Sequence, residues 1–121
     1  MSFLGKENME VSFADTKLET ACASERLGNK LWGKAAAKAV RKWYKMLTAA
    51  QDLSDIAAVP SARLHQWQTS GELLLSVSVT RAVRILFHPA NDPLPLRADG
   101  TLDLSGVTKI RVIFIGDPHR K

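Results

Sequence analysis

The stretch LLLSVSVTRAVRILFH, residues 73–88, decides the fold class, because its apolar side chains recur at every second position. A period of two residues is typical of β-strands. The first predicted strand carries apolar residues at alternating positions: Leu73, Leu75, Val77 and Val79. The second, at about residues 82–88, places one apolar set on a single face: Val83, Ile85 and Phe87. A tight hairpin near Thr80-Arg81 is predicted to join the two strands, although no Asn-Gly pair marks it.

The opposite face of this hairpin contains an arginine. Arg84 shares that face with Ser76 and Ser78 if the two strands pair as predicted. Burial of a guanidinium group is costly unless the group is paired. Two interpretations of Arg84 and the nearby Arg81 therefore stay open: a carboxylate partner at the sheet edge, or an anion that is not part of this chain. Phosphate suits the planar fork of a guanidinium. The candidate carboxylates are Glu72 and Asp103.

The segments before the hairpin predict helices. MEVSFA, residues 9–14, predicts a short first strand, and Asp15 is a suitable N-cap for a helix that ends at Gly28-Asn29. A second helix is predicted at about residues 30–50, where apolar residues recur at helical spacing. Its predicted apolar face consists of Leu31, Ala35, Ala39, Trp43, Met46, Leu47 and Ala50.

These elements predict an α+β fold, with an N-terminal helical hairpin packed on a small antiparallel β-sheet. KIRVIFIG, residues 109–116, predicts the last strand. The length of 121 residues predicts a single domain over residues 1–121, in which residues 1–8 form a flexible leader. No apolar run approaches the roughly 18 to 20 residues that span a bilayer, and no signal peptide is evident. We therefore expect a cytoplasmic protein that does not bind membranes.

Positive charge is concentrated in one segment. The net charge is +5, and residues 26–51 contain seven basic residues and no acidic one. A basic helix face either tracks a phosphate backbone or is simply solvated. The missing acids favour an anionic partner. The basic stripe comprises Lys30, Lys34, Lys38, Lys42 and Lys45.

The remaining chemically active side chains are few. Cys22 predicts a buried, inert thiol, since a single cysteine excludes an internal disulfide and a multi-cysteine metal site. His65 and His88 are interpreted as structural, whereas His119 is the best-placed group for proton transfer. No metal-ligand spacing, phosphate-binding glycine loop or nucleophile elbow is present. The tryptophans either stack on bases or fill the core, and Trp43 is assigned to the core: Trp32, Trp43 and Trp67.

Four segments of the chain resemble a known family. They are EVSFADTKLE, PSARLHQW, RILFHPANDPLPLRADGTLDLSGVTKIRVIFI and the terminal Asp117-Pro118-His119. Together they span residues 10–119. The chain is similar to HigB-type toxins of the RelE/ParE superfamily, the toxin half of bacterial type II toxin–antitoxin pairs.

The resemblance implies a RelE-like fold and a ribosome-dependent mRNA endoribonuclease that inhibits translation. Such cleavage requires no metal and no cofactor. The implied partners are a HigA-like antitoxin, the ribosome and mRNA. The implied catalytic residues are Arg84, His119 and Arg81. The implied RNA- or ribosome-binding residues are Arg63, His65, Lys34, Lys38, Lys42 and Lys45.

The chain departs from the family pattern in two places. Gln68-Thr69-Ser70-Gly71 stands where relatives carry lysine and arginine, and Pro118 stands where they carry tyrosine. These losses weaken the groups that stabilise the transition state. Two alternatives therefore stay open: a catalytically weak or inactive homologue that binds the antitoxin as a co-repressor, and a ParE-like gyrase poison.

Overall fold

A computed structural model describes residues 8–69 and 71–118. Apart from Asn8, the predicted leader lies outside the described residues, as does His119. The strands are β1 Glu10–Phe13, β2 His65–Thr69, β3 Glu72–Ser78, β4 Arg84–Pro89 and β5 Lys109–Gly116. The α-helices are α1 Thr16–Ala23, α2 Glu25–Trp32, α3 Lys34–Ala49 and α4 Leu53–Ala57. Short 3-10 turns cover Pro60–Ala62 and Leu104–Gly106.

The five strands form one sheet in the order β1-β5-β4-β3-β2. The predicted hairpin is present, since β3 and β4 pair antiparallel with Val77 opposite Ile85. Its connection covers residues 79–83 and is longer than the tight turn predicted. The expectation of a wholly antiparallel sheet is wrong at one edge, where β1 runs parallel to β5. Most of the chain separates these two strands, so no hairpin turn forces them to be antiparallel.

The inner face of the sheet forms the core against the helices. Alternation along β3 and β4 buries Leu75, Val77, Ile85 and Phe87. Helix α3 contributes Ala37, Val40, Trp43 and Leu47 to the buried residues. The predicted apolar face of the second helix is partly wrong, because Ala35 is exposed and Leu31 is 45% exposed. Alanines occur on several sides of this helix, so their spacing does not identify the buried side.

The first predicted helix ends elsewhere than expected. The helical segment breaks at Ser24, whose hydroxyl accepts a hydrogen bond from the Leu27 backbone N–H at 3.2 Å. The predicted end at Gly28-Asn29 is wrong, since Gly28 lies buried inside α2. A Cβ at Gly28 would lie 3.1 Å from the Ala21 carbonyl oxygen, so this glycine permits close packing. The next break is at Gly33, with a positive φ of 84°.

The described helices also bear on membrane insertion. None of those within residues 8–69 and 71–118 combines the length and the apolar character that crossing a bilayer requires.

Candidate functional site

The outer face of the sheet carries the polar side chains that the sequence singled out. Ser78 pairs with Arg84 across β3 and β4, and Ser76 pairs with His65 across β3 and β2. Cross-strand partners project to the same side of a sheet. Arg84, Ser76 and Ser78 therefore share one face, as predicted, and His65 from the edge strand joins them.

The Arg84 guanidinium is held in place by two neutral groups. Its Nε donates to the Ser76 hydroxyl at 2.9 Å, and its Nη2 donates to the Arg63 carbonyl at 3.0 Å. Ser76 is fully buried. Because both acceptors are neutral, they fix the direction of the guanidinium and leave its charge uncompensated.

The predicted carboxylate partners of Arg84 are bound elsewhere. Glu72 lies 4.0 Å from His88, measured between Oε2 and Nε2. Asp103 accepts hydrogen bonds from the backbone N–H and the hydroxyl of Ser105. Within residues 8–69 and 71–118, no carboxylate forms an ion pair with Arg84. The interpretation of Arg84 as half of an internal salt bridge is therefore wrong for the described part of the chain.

Arg63 brings a second cation to the same place. It follows the Pro60–Ala62 turn in a left-handed conformation, with φ 45° and ψ 52°. This conformation is uncommon for a residue other than glycine and is typical of functional sites. Partial burial and, secondly, the charge of Arg63 lower the pKa of Arg84. Arginine stays protonated in proteins, so two positive charges are held side by side.

The two arginines lie at the junction of two pockets. The cationic pocket has a volume of about 660 Å³, and its charged lining residues are Lys42, Arg63, Arg81 and Arg84. Ser61, Ser78 and Thr80 add hydroxyl groups to that lining. The aromatic pocket, of about 320 Å³, is lined by Arg63, His65, Trp67, Arg84 and Pro118. Among the described residues, no carboxylate lines either pocket, so the arrangement suits an anion.

The structure brings together most of the predicted site residues, but not all of them. Lys34, Lys38 and Lys45 are exposed on α3 and line neither pocket. With a rise of about 1.5 Å per residue, Lys34 lies roughly 12 Å from Lys42 along the helix. Four lysines of the stripe therefore extend from the cationic pocket along α3. The fifth, Lys30, was predicted on the same helix but lies on α2, beyond the break at Gly33. The chain reaches the aromatic pocket at Pro118, and the predicted His119 lies outside the described residues.

Sequence reasoning missed several lining residues. Ser61 and Thr80 carried no signal, because each is a single hydroxyl in a connecting segment. Trp67 was noted as a stacking candidate but had no fixed place in the pattern. It lines the pocket because β2 pairs with β3 and turns alternate residues, including His65, to the outer face.

Other candidate groups have structural roles. The Nδ1–H of His88 donates a hydrogen bond to the Leu73 carbonyl oxygen at 2.7 Å. Burial raises the pKa of Cys22 to about 11, as expected for an inert thiol. Trp43 is in the core, and the Trp32 indole N–H donates to the Ile115 carbonyl at 3.0 Å. Among the described residues, no group of three acidic, histidine or cysteine side chains is arranged to hold a metal ion.

No protein-family model, no curated protein and no solved structure matches this chain. Clustered guanidinium and ammonium groups bind phosphate and stabilise negative charge that develops on it. His65 adds an imidazole to the aromatic pocket.

Ser76 is expected to act as a positioning residue for Arg84. Replacing Ser76 by alanine removes the acceptor for Nε, so the guanidinium gains freedom and affinity for inorganic phosphate falls about ten-fold, the cost of one hydrogen bond to a charged group. The measurement is phosphate binding by Ser76→Ala, Arg84→Ala and the double variant. If Ser76 acts through Arg84, the serine change has no further effect once Arg84 is alanine. Fully additive losses would indicate a general structural role instead.

Proposed function

We propose that this chain is the toxin of a type II toxin–antitoxin pair and cleaves mRNA on the ribosome without a metal. The observation that supports this function most is the pairing of two arginines, Arg63 and Arg84, which line both pockets and have no carboxylate between them in the described part of the chain. Such a pair is electrostatically unfavourable until an anion arrives. Its uncompensated charge favours a phosphate ligand.

RNA cleavage through the 2′-hydroxyl matches this chemistry. The 2′-oxygen attacks the adjacent phosphorus, and the bond from phosphorus to the 5′-oxygen of the next nucleotide breaks. The pentacoordinate phosphate carries one more negative charge than the ground state, and fixed cations stabilise that extra charge. Arg84, Arg63 and Arg81 supply those cations in the proposed mechanism.

Two proton transfers accompany the attack. A base removes the proton of the 2′-hydroxyl, and an acid protonates the departing 5′-oxygen. His65 is the imidazole that lines the aromatic pocket. In the proposed mechanism His65 and the terminal His119 serve as the proton-transfer groups.

The basic stripe on α3 supports binding to the ribosome. Lys34, Lys38, Lys42 and Lys45 project from one side of the helix, since they are three or four residues apart. Each contact with an RNA phosphate adds affinity that falls as salt rises. A HigA-like antitoxin is the proposed inhibitor, and an acidic surface on it would neutralise the same charges.

Inducible expression in a bacterial host tests the function. We expect growth arrest and new mRNA 5′ ends inside translated codons after induction of the natural chain. The Arg26→Ala variant is a control for charge, because Arg26 is exposed on α2 and lines neither pocket. It should arrest growth equally. Normal growth and intact mRNA, with the protein accumulating in soluble form, would contradict the proposal.

A second candidate function is RNA or antitoxin binding without cleavage. Pro118 lines the aromatic pocket and has no side-chain group that could stabilise negative charge on a phosphate, which favours binding without cleavage. This alternative predicts intact mRNA in the expression experiment, while the purified chain still binds single-stranded RNA. Toxicity with intact mRNA and broken DNA would instead indicate a gyrase poison.

A further inference from the structure

We infer that the aromatic pocket is a nucleobase site and that Trp67 is its stacking residue. The inference rests on the proposed function for its ligand, single-stranded RNA. One nucleotide then occupies both pockets, with its phosphate among the cations and its base against the aromatic rings.

The walls of the aromatic pocket are two rings on one strand. His65 and Trp67 are two residues apart on β2, so both project from the same side. Their ring centroids are 4.3 Å apart and their planes meet at 74°. The rings therefore form a corner instead of a closed stack. The volume of about 320 Å³ lies at the lower end of the range for small-ligand pockets.

The two pockets share the residues that would hold the phosphate. Arg63 and Arg84 line both of them. A nucleotide joins an aromatic base to an anionic phosphate through a single sugar. The aromatic pocket suits the base, and the adjoining cationic pocket suits the phosphate. A free phosphate has no ring that could pack against His65 and Trp67, so it would leave the aromatic walls unused.

Trp67 differs from the other two tryptophans: among the described residues it belongs to no core cluster, and its indole N–H has no hydrogen-bond acceptor. Trp43 is 6% exposed in the core, and the Trp32 N–H is bonded to a backbone carbonyl. Trp67 lies half-buried on β2, the edge strand of the sheet, and contacts the exposed ring of His65. Stacking on an aromatic side chain tolerates any base, so this site adds affinity for RNA without selecting a sequence.

The test compares RNA with a ligand that lacks bases. A labelled RNA hexanucleotide and a sugar–phosphate oligomer of equal charge are titrated against the purified chain and its variants. We expect Trp67→Ala to weaken binding of the RNA about ten-fold and Trp67→Phe to weaken it less than about three-fold. Binding of the base-free oligomer should be equal in all three proteins. Arg84→Ala should weaken binding of both ligands.

Thermal unfolding of each variant shows whether it is folded. If the alanine variant is not, Trp67→Leu replaces it, because leucine keeps an apolar side chain without a stacking ring and should weaken RNA binding as alanine does. Equal RNA binding by the natural chain and Trp67→Ala would overturn the inference. So would equal affinity of the natural chain for RNA and for the base-free oligomer, or no binding of RNA at all.

Failure of this inference is distinguishable from failure of the proposed function. Trp67-dependent RNA binding in a chain that leaves cellular mRNA intact would keep the base site and reject the endoribonuclease. Cellular cleavage that Trp67→Ala leaves unchanged in rate and position would keep the endoribonuclease and reject the base site.

Discussion

Replacing Arg84 by alanine is expected, under the proposed endoribonuclease function, to slow RNA cleavage by about 100-fold or more, the typical cost of removing one fixed donor from a developing negative charge. The guanidinium is directed by Ser76 and the Arg63 carbonyl, so it needs no reorganisation when the phosphate becomes more negative. Its removal also eases the repulsion on Arg63, and the fold should therefore be retained. The measurement is single-turnover cleavage of mRNA bound to purified ribosomes, with thermal unfolding recorded in parallel.

Two matched variants define the role of Arg84. Arg84→Lys keeps the charge but loses the planar fork, so we expect an intermediate rate. Arg26→Ala makes the same charge change on α2 and should cleave at the rate of the natural chain. If Arg84→Ala and Arg26→Ala cleaved RNA equally fast, Arg84 would have no part in the reaction.

Replacing Phe87 by alanine is expected to lower the free energy of unfolding by about 3 to 5 kcal/mol, the usual cost of truncating a buried phenylalanine. Phe87 is fully buried and is the largest such side chain within the described residues. It lies on the central strand β4, opposite Leu75 of β3 and Val112 of β5. Strands β3 and β5 would therefore flank the cavity left by Phe87, and neither strand can easily move to fill it. Urea denaturation monitored by circular dichroism measures the change.

Leu96→Ala is the matched control for truncation of an apolar side chain. Leu96 is 56% exposed in the long segment between β4 and β5, so its loss should change stability by less than about 0.5 kcal/mol. A loss below about 1 kcal/mol for Phe87→Ala would show that the inner face of β4 is not the centre of the core.

The alternation along residues 73–88 was enough to predict the central hairpin and its two faces. Phe87 and Ile85 are buried and Arg84 is on the other side, as the period of two residues requires. The same reasoning placed Ser76 and Ser78 beside Arg84. Helix ends were predicted less well, because Gly28 signals a break by its residue type and is used instead for close packing.

The site shows the limit of local reasoning more directly. Sequence identified Arg63, Arg81, Arg84, His65 and Lys42 as candidates, but could not tell whether they meet. They meet because β2 and β4 flank β3 in the sheet, and because α3 and the Pro60–Ala62 turn bring Lys42 and Arg63 to the same pocket. The sequence also could not show that Glu72 lies beside His88 and that Asp103 accepts hydrogen bonds from Ser105.

Periodicity and charge are local properties, so the residue order alone was sufficient for the strand faces, the basic stripe and the α+β class. Three features depend instead on residues far apart in the chain. They are the parallel direction of β1 beside β5, the hydrogen bond from Arg84 to the Arg63 carbonyl, and the meeting of the two pockets. Such contacts exist only after the sheet and helices have packed, because packing decides which polar groups lie within hydrogen-bonding distance of each other.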